Sequence, residues 1–144
     1  MPDSRPLIIL QVEDTPQDAQ LTAYAMTLGV VPHSIHVATD GAQAVDFLKR
    51  RPPFGDRPQP DLILLDLELP KINGNEVLEF IKNDEKLRTI PVIIFSSHDS
   101  AEIKKHAYEL HANSYVVKPV LMDEFVKKVQ SIAEYWCNTS EGAA

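Results

Sequence analysis

The sequence predicts an α/β protein, a doubly wound (βα)5 chain whose parallel five-stranded sheet carries helices on both faces. Two observations predict it. Short apolar runs alternate with longer amphipathic ones along the 144 residues, the pattern of strands joined by helical crossovers. Two of those runs, Leu62-Ile63-Leu64-Leu65 and Val92-Ile93-Ile94-Phe95, are apolar at every position, as a strand must be when helices cover both of its sides. The length suits a single domain, 1–144, and 44% hydrophobic residues supply a core.

In chain order the first strand is 7–12, an apolar run ending in Gln11-Val12. Helix one, 16–28, follows: Thr15 offers an N-cap hydroxyl, Pro16 fits the first helical position, Asp18 is an acid in the first turn, and Gly29 is a stop. Strand two, 34–38, mixes polar and apolar residues and belongs at an edge. Helix two spans 41–51, and the segment 52–60, with four prolines, can be neither helix nor central strand and is a connection. Strand three is 62–65, helix three 74–84, strand four 92–95, helix four 100–110 and strand five 114–117. Helix five, 122–136, repeats Phe125, Val129, Ile132, Ala133 and Trp136 at helical spacing. The small, polar tail 138–144 is expected to fray, which leaves a core of about residues 7–136.

Charge and composition narrow the function. A formal charge of −7, from 14 Lys and Arg against 21 Asp and Glu, repels nucleic acid and anionic lipid. Lys49-Arg50-Arg51 and Lys104-Lys105 are too short for a binding patch and read as solvated helix faces. Cys137 is the only cysteine, so no internal disulfide forms and a reducing compartment is expected. The N-terminus lacks a signal-peptide pattern and no run has the length of a membrane span. The expectation is a cytoplasmic protein with neither nucleic acid nor membrane as partner.

Ligands of an open parallel sheet collect beyond the C-terminal ends of its strands. There the sequence sets Glu13 and Asp14 after strand one, Asp66 after strand three, Ser96 and Ser97 after strand four, and Lys118 with Pro119 after strand five. Three carboxylates brought together repel one another, and a hard divalent cation with oxygen ligands, Mg2+ above all, relieves them. Asp66 is then the nucleophile for an incoming phosphoryl group, its charge offset by the metal and by Lys118, with Ser96 donating to a further oxygen. The histidines His33, His36, His98, His106 and His111 show no zinc spacing and none is assigned to metal.

Val12-Glu13-Asp14, Asp61 through Pro70 with Gly74 beyond, Phe95-Ser96-Ser97 and Tyr115-Val116-Val117-Lys118-Pro119 stand in the order and at the intervals of a CheY-like receiver of two-component signalling. The chain resembles that family over roughly residues 7–135. The resemblance implies a flavodoxin-like sheet in order 2-1-3-4-5. It also implies Asp66 phosphorylated by a partner histidine kinase, with Mg2+ held by Glu13, Asp14, Asp66 and the backbone carbonyl of Glu68. Such a protein is a phosphoacceptor that assists its own phosphorylation and slow dephosphorylation, not a turnover enzyme. Tyr115 matches the family's rotameric reporter, which turns inward as the hydroxyl at Ser96 moves toward phosphate. More narrowly, the long connection before strand three, Ala112-Asn113-Ser114-Tyr115 and Tyr135-Trp136 resemble stand-alone receivers serving bacterial phytochromes, which implies a bacteriophytochrome as the kinase.

Rival classes meet contrary residues. A haloacid-type phosphatase needs a second aspartate two residues after the nucleophile, where this chain has Glu68. A flavodoxin needs a first loop rich in Ser, Thr and Gly, and Glu13-Asp14 opposes a phosphate there. A pseudo-receiver that docks proteins without phosphate is the alternative, and the intact Asp66, Ser96 and Lys118 argue against it.

Two further expectations concern output and lifetime. Phosphorylation is expected to change a surface made by helix four, strand five and helix five, bordered by Ile103, Ala107, Tyr115 and Phe125, through which the chain forms a homodimer. In the receiver family the positions of Glu68 and His98 flank the path of attacking water, so a bridge between them is expected to slow loss of phosphate.

Overall fold

The computed structural model describes residues 5–50 and 58–143. The elements are β1 (Leu7–Val12), α1 (Pro16–Leu28), β2 (His33–Ala38), α2 (Gly41–Leu48), β3 (Leu62–Leu65), α3 (Gly74–Lys82), β4 (Val92–Ser96), α4 (Ala101–Glu109), β5 (Ser114–Val117) and α5 (Met122–Ala143). All strand pairs are parallel and the sheet order is β2-β1-β3-β4-β5. The mixed strand is at an edge, and the two wholly apolar strands, β3 and β4, are buried at every residue.

Strand alternation divides the core between the two faces of this sheet. Leu10, Val12, Ile63, Leu65, Val92 and Ile94 pack with Phe47, Leu48, Val77, Leu78, Ile81 and Ala107 from α2, α3 and α4. Their neighbours Leu7, Ile9, Leu62, Leu64, Ile93 and Phe95 face the other way, onto Ala25 and Met26 of α1 and Phe125, Val129, Ile132 and Ala133 of α5. Each of the larger side chains, the alanines aside, contributes about 1.5–3 kcal/mol when fully buried, so the two faces fix the register of every strand.

Several element ends differ from the sequence reading. Helix α2 stops at Leu48, not at 51: Lys49 is its C-cap and Arg50 turns left-handed at φ 56°. Pro52 explains this, since a residue before proline is driven out of the helical region and the chain must leave the helix early. The proline-rich connection lies outside the described residues as far as 57, and Pro58, Gln59 and Pro60 have no regular structure. Thr15 makes no side-chain cap, and Gly29 ends α1 in extended backbone at φ −88°. Helix α3 ends at Lys82, with Asn83 as its C-cap, while Asn73 and Glu76 form a reciprocal capping box at its start. Ser100 and Leu110 are the caps of α4 and not members of it. Helix α5 runs past 136 to Ala143, so the segment expected as a frayed tail is helical. Nothing between Cys137 and Glu141 stops a helix, because the stretch holds neither glycine nor proline.

Candidate functional site

Sheet hydrogen bonding carries one residue past the strand ends and sets the site. The Glu13 amide donates to Ala38 O at 2.9 Å, the Asp66 amide to Val12 O at 3.0 Å and the Lys118 amide to Ser96 O at 2.7 Å. The three site residues therefore continue the ladder of the core strands, and their side chains converge at its C-terminal edge.

Lys118 is the centre of that convergence. Its ammonium donates to Glu13 Oε1 at 2.7 Å, Asp18 Oδ2 at 2.8 Å and Asp66 Oδ2 at 3.0 Å. Its side chain is only 7% exposed, and it lies 5.9 Å from the centroid of Phe95. Burial works against the Lys118 charge, but the bonds to Asp18 and Glu13 and the charges of Asp66 and Glu13 outweigh it and hold the amine above the ordinary lysine range. Burial pushes the Glu13 carboxyl up to about 7; Lys118 pulls it down, while Asp66 adds to the rise. A site that strains its carboxylates in this way favours a further cation.

Glu13, Asp14 and Asp66 each offer a carboxylate oxygen, and the three atoms lie within 4.8 Å of one another. The donor set is all oxygen and anionic, which fits a hard divalent ion. Asp14 is exposed, so the cluster opens to solvent. Asp66 itself is buried at 8% exposure, and its Oδ1 accepts the Glu68 amide at 3.1 Å.

The loop beyond Asp66 is held by Gly74, whose amide donates to Leu67 O at 2.9 Å. A Cβ at Gly74 would stand 2.5 Å from both Asp66 O and Leu67 Cα. Only glycine allows helix α3 to start so close to the backbone of Asp66 and Leu67.

Ser96 is fully buried at the end of β4, and its Oγ accepts the His98 amide at 3.2 Å. Tyr115 is half-buried and donates its hydroxyl to His98 O at 2.9 Å. Burial pushes that hydroxyl up, and Ser96 and Lys104 act in the other direction. The Glu68 and His98 side chains meet, with Nε2 to Oε2 at 2.8 Å, so the expected bridge is present in the structure.

The structure brings Glu13, Asp14, Asp66 and Lys118 together at this edge of the sheet, and Ser96 lies at the end of β4 with its Oγ on the His98 amide. One residue was missed. Asp18 reads in the sequence only as a first-turn acid, yet it is a full partner of Lys118; the available signal was its place one helical turn beyond Asp14. Thr22 Oγ1 donates to Asp18 O at 2.9 Å and accepts Gln11 Nε2 at 3.0 Å, which ties that turn of α1 to the buried middle of β1.

A doubly wound α/β fold with an acidic, lysine-bridged centre at the C-terminal edge of its sheet defines a class, and the chain belongs to it: the response regulator receiver domain family, whose model matches residues 9–130. Within that family it is similar to response regulator Rcp1 of Synechocystis sp., at 36% identity over 93% of this chain and 91% of the relative. The crystal structure of the Mn2+-bound form of Rcp1 matches with a TM-score of 0.86 over 91% of this chain and 94% of that one. RcpA, a cyanobacterial phytochrome response regulator solved in its phosphorylated form, matches at 36% identity and a TM-score of 0.89 over 94% of this chain and 96% of that one. The probable methanogenesis regulatory protein FilR2 of Methanothrix harundinacea is 40% identical over 96% of this chain and 90% of its own. Among the described residues no helix is long and apolar enough to cross a membrane.

Proposed function

We propose that the protein is a phosphorylation switch in which Asp66 accepts a phosphoryl group from a sensor histidine kinase of phytochrome type. The observation that carries this is the Lys118 ammonium 3.0 Å from Asp66 Oδ2, beside the carboxylates of Glu13 and Asp14. An Asp66 oxygen forms a bond to phosphorus as the P–N bond of a phosphohistidine breaks; the electron pair leaves on the imidazole nitrogen, which takes a proton from water. Glu13, Asp14, Asp66 and the backbone carbonyl of Glu68 would hold Mg2+, which would supply positive charge to offset that of the phosphoryl group. Lys118 offsets charge on the other side, and Ser96 turns from the His98 amide to donate to a phosphoryl oxygen.

The kinase assignment draws on RcpA, a phytochrome response regulator, and the metal on the Mn2+ form of Rcp1. The output is a two-state change at Tyr115 and the α4-β5-α5 face, read by homodimerisation. The test is incubation with Mg2+ and acetyl phosphate followed by intact-mass measurement. The parent is expected to gain one phosphoryl group, and Asp66→Asn, or parent protein in excess EDTA, to gain none. Full labelling of Asp66→Asn would falsify the assignment.

A further inference from the structure

An ammonium has three N–H donors, and all three of Lys118 are in use, on Glu13, Asp18 and Asp66. Phosphorylation turns the Asp66 carboxylate into an acyl phosphate, so the N–H it held passes to a phosphoryl oxygen, and a second N–H for the dianionic group must come from Glu13 or Asp18. The candidates are unequal. Side-chain exposure is 2% for Glu13 and 32% for Asp18. Releasing the buried Glu13 carboxylate takes a partner from an anion held away from water, whereas Asp18 returns to solvent.

Asp18 also has a place to go. Counting from the N-cap Thr15, it occupies the third position of α1, from which an acid reaches the N-cap amide in a capping box. That amide now donates to Glu13 Oε2 at a long 3.3 Å, and the Thr15 side chain makes no cap bond. The helix N-terminus itself favours a nearby anion. Meanwhile the main chain of Asp18 stays fixed through Thr22 and Gln11, so the exchange needs only a side-chain rotation.

We propose that Asp18 is a positioning residue: a releasable tether that parks Lys118 in the resting protein and yields it to a phosphoryl oxygen once Asp66 is modified. The proposal rests on Asp66 being the acceptor. The step is an exchange of hydrogen bonds in which Lys118 keeps its proton and no covalent bond changes. With Asp18→Asn, the charged competitor for Lys118 is gone and an anionic donor meets one negative charge fewer. Lys118 is then shared by Glu13 and Asp66 alone, which yield less readily to a metal. The variant therefore binds the phosphoryl mimic beryllium trifluoride more tightly and Mg2+ alone more weakly, each by roughly fivefold for one charge interaction at contact distance. A side chain that merely supports the fold weakens both.

Two measurements decide it. Isothermal titration of parent and Asp18→Asn with Mg2+, then with beryllium trifluoride in saturating Mg2+, is expected to show those opposite shifts. In isotope-labelled parent protein, the NMR coupling across the hydrogen bond from Lys118 Nζ to Asp18 Cγ is expected in the resting state and lost when the mimic binds. If the mimic binds to parent but not to Asp66→Asn while the coupling persists, or if Asp18→Asn binds it no more tightly, the tether is wrong and Asp66 stands. If parent and Asp66→Asn respond alike to the mimic, the acceptor assignment fails and the tether with it.

Discussion

At the scale of single residues, what could be read in advance was what a strand end determines. Glu13, Asp66 and Lys118 follow strands whose apolar patterns fix where they stop, and their amides prolong the ladder. Asp18 was not legible as a partner because its contact depends on the phase of α1 and on the reach of a lysine side chain, and neither is written in a pattern of apolar residues. The pair Glu68 and His98 lies between these cases: two positions beside the acceptor suggested a bridge, and the side chains meet at 2.8 Å. Both are substantially exposed, so the pair adds little to stability; exposed pairs are worth about 0.2–1 kcal/mol. For the proposed gate, the same energy acting on the path of attacking water corresponds to roughly a 1.4- to fivefold change in hydrolysis. Glu68→Ala and His98→Ala are each expected to shorten the lifetime of phospho-Asp66 by that factor in Mg2+ buffer. The double variant should lose phosphate more slowly than the product of the two single effects implies, and unchanged rates in both singles would remove the gate.

At the scale of elements, helix starts were more legible than helix ends. Starts carry side chains with a mechanism, as Asn73 with Glu76 and Ser100 show. Ends depend on backbone conformation, and here two of them use residues other than glycine in the left-handed region, Arg50 and His111. After α4 the His111 amide donates to Tyr108 O at 2.9 Å and the Ala112 amide to Ala107 O at 3.0 Å, the two bonds of a Schellman motif with His111 where glycine is usual. Removing the Cβ there relieves a left-handed conformation that costs about 1–2 kcal/mol. Gly also loses more entropy on folding, so His111→Gly is expected to stabilise by about 0.5–1 kcal/mol, read as a raised denaturant midpoint at unchanged slope. The reverse case is Gly74→Ala, whose methyl would overlap Asp66 O and Leu67 Cα. That variant is expected to lose about 1–3 kcal/mol of stability, a typical overpacking cost, and to label more slowly with acetyl phosphate, because the shift falls on the acceptor loop. Parent-like labelling by Gly74→Ala would show that the loop gives elsewhere.

Across the whole molecule, the parallel sheet was legible because β3 and β4 are apolar throughout, but the proposed output face was read only in part. Ala107 and Phe125 were expected to border it, and both are buried, at 0% and 3% exposure: helical periodicity alone does not tell which apolar stripe packs on the sheet. Tyr108, 49% exposed, lies on that side of α4 and accepts the Tyr115 amide at 3.0 Å. Tyr115 in turn donates to His98 O, and the His98 amide is held by Ser96 Oγ. Under the proposed mechanism, a Ser96 hydroxyl that turns to phosphate is expected to release the His98 amide, disturb the acceptor of Tyr115 and change what Tyr108 presents. The hydrogen bonds run without a break from Ser96 to the α4-β5 surface, and an exposed tyrosine at their end is the residue type that anchors interfaces. The expected outcome is a dimer by sedimentation at micromolar concentration in at least one of two states, with or without beryllium trifluoride. Tyr108→Ala should weaken that dimer about tenfold, the loss of roughly 1.4 kcal/mol expected of an anchor, while leaving labelling of Asp66 at the parent rate. A monomer in both states removes the dimer; a dimer indifferent to Tyr108→Ala moves the interface to another face.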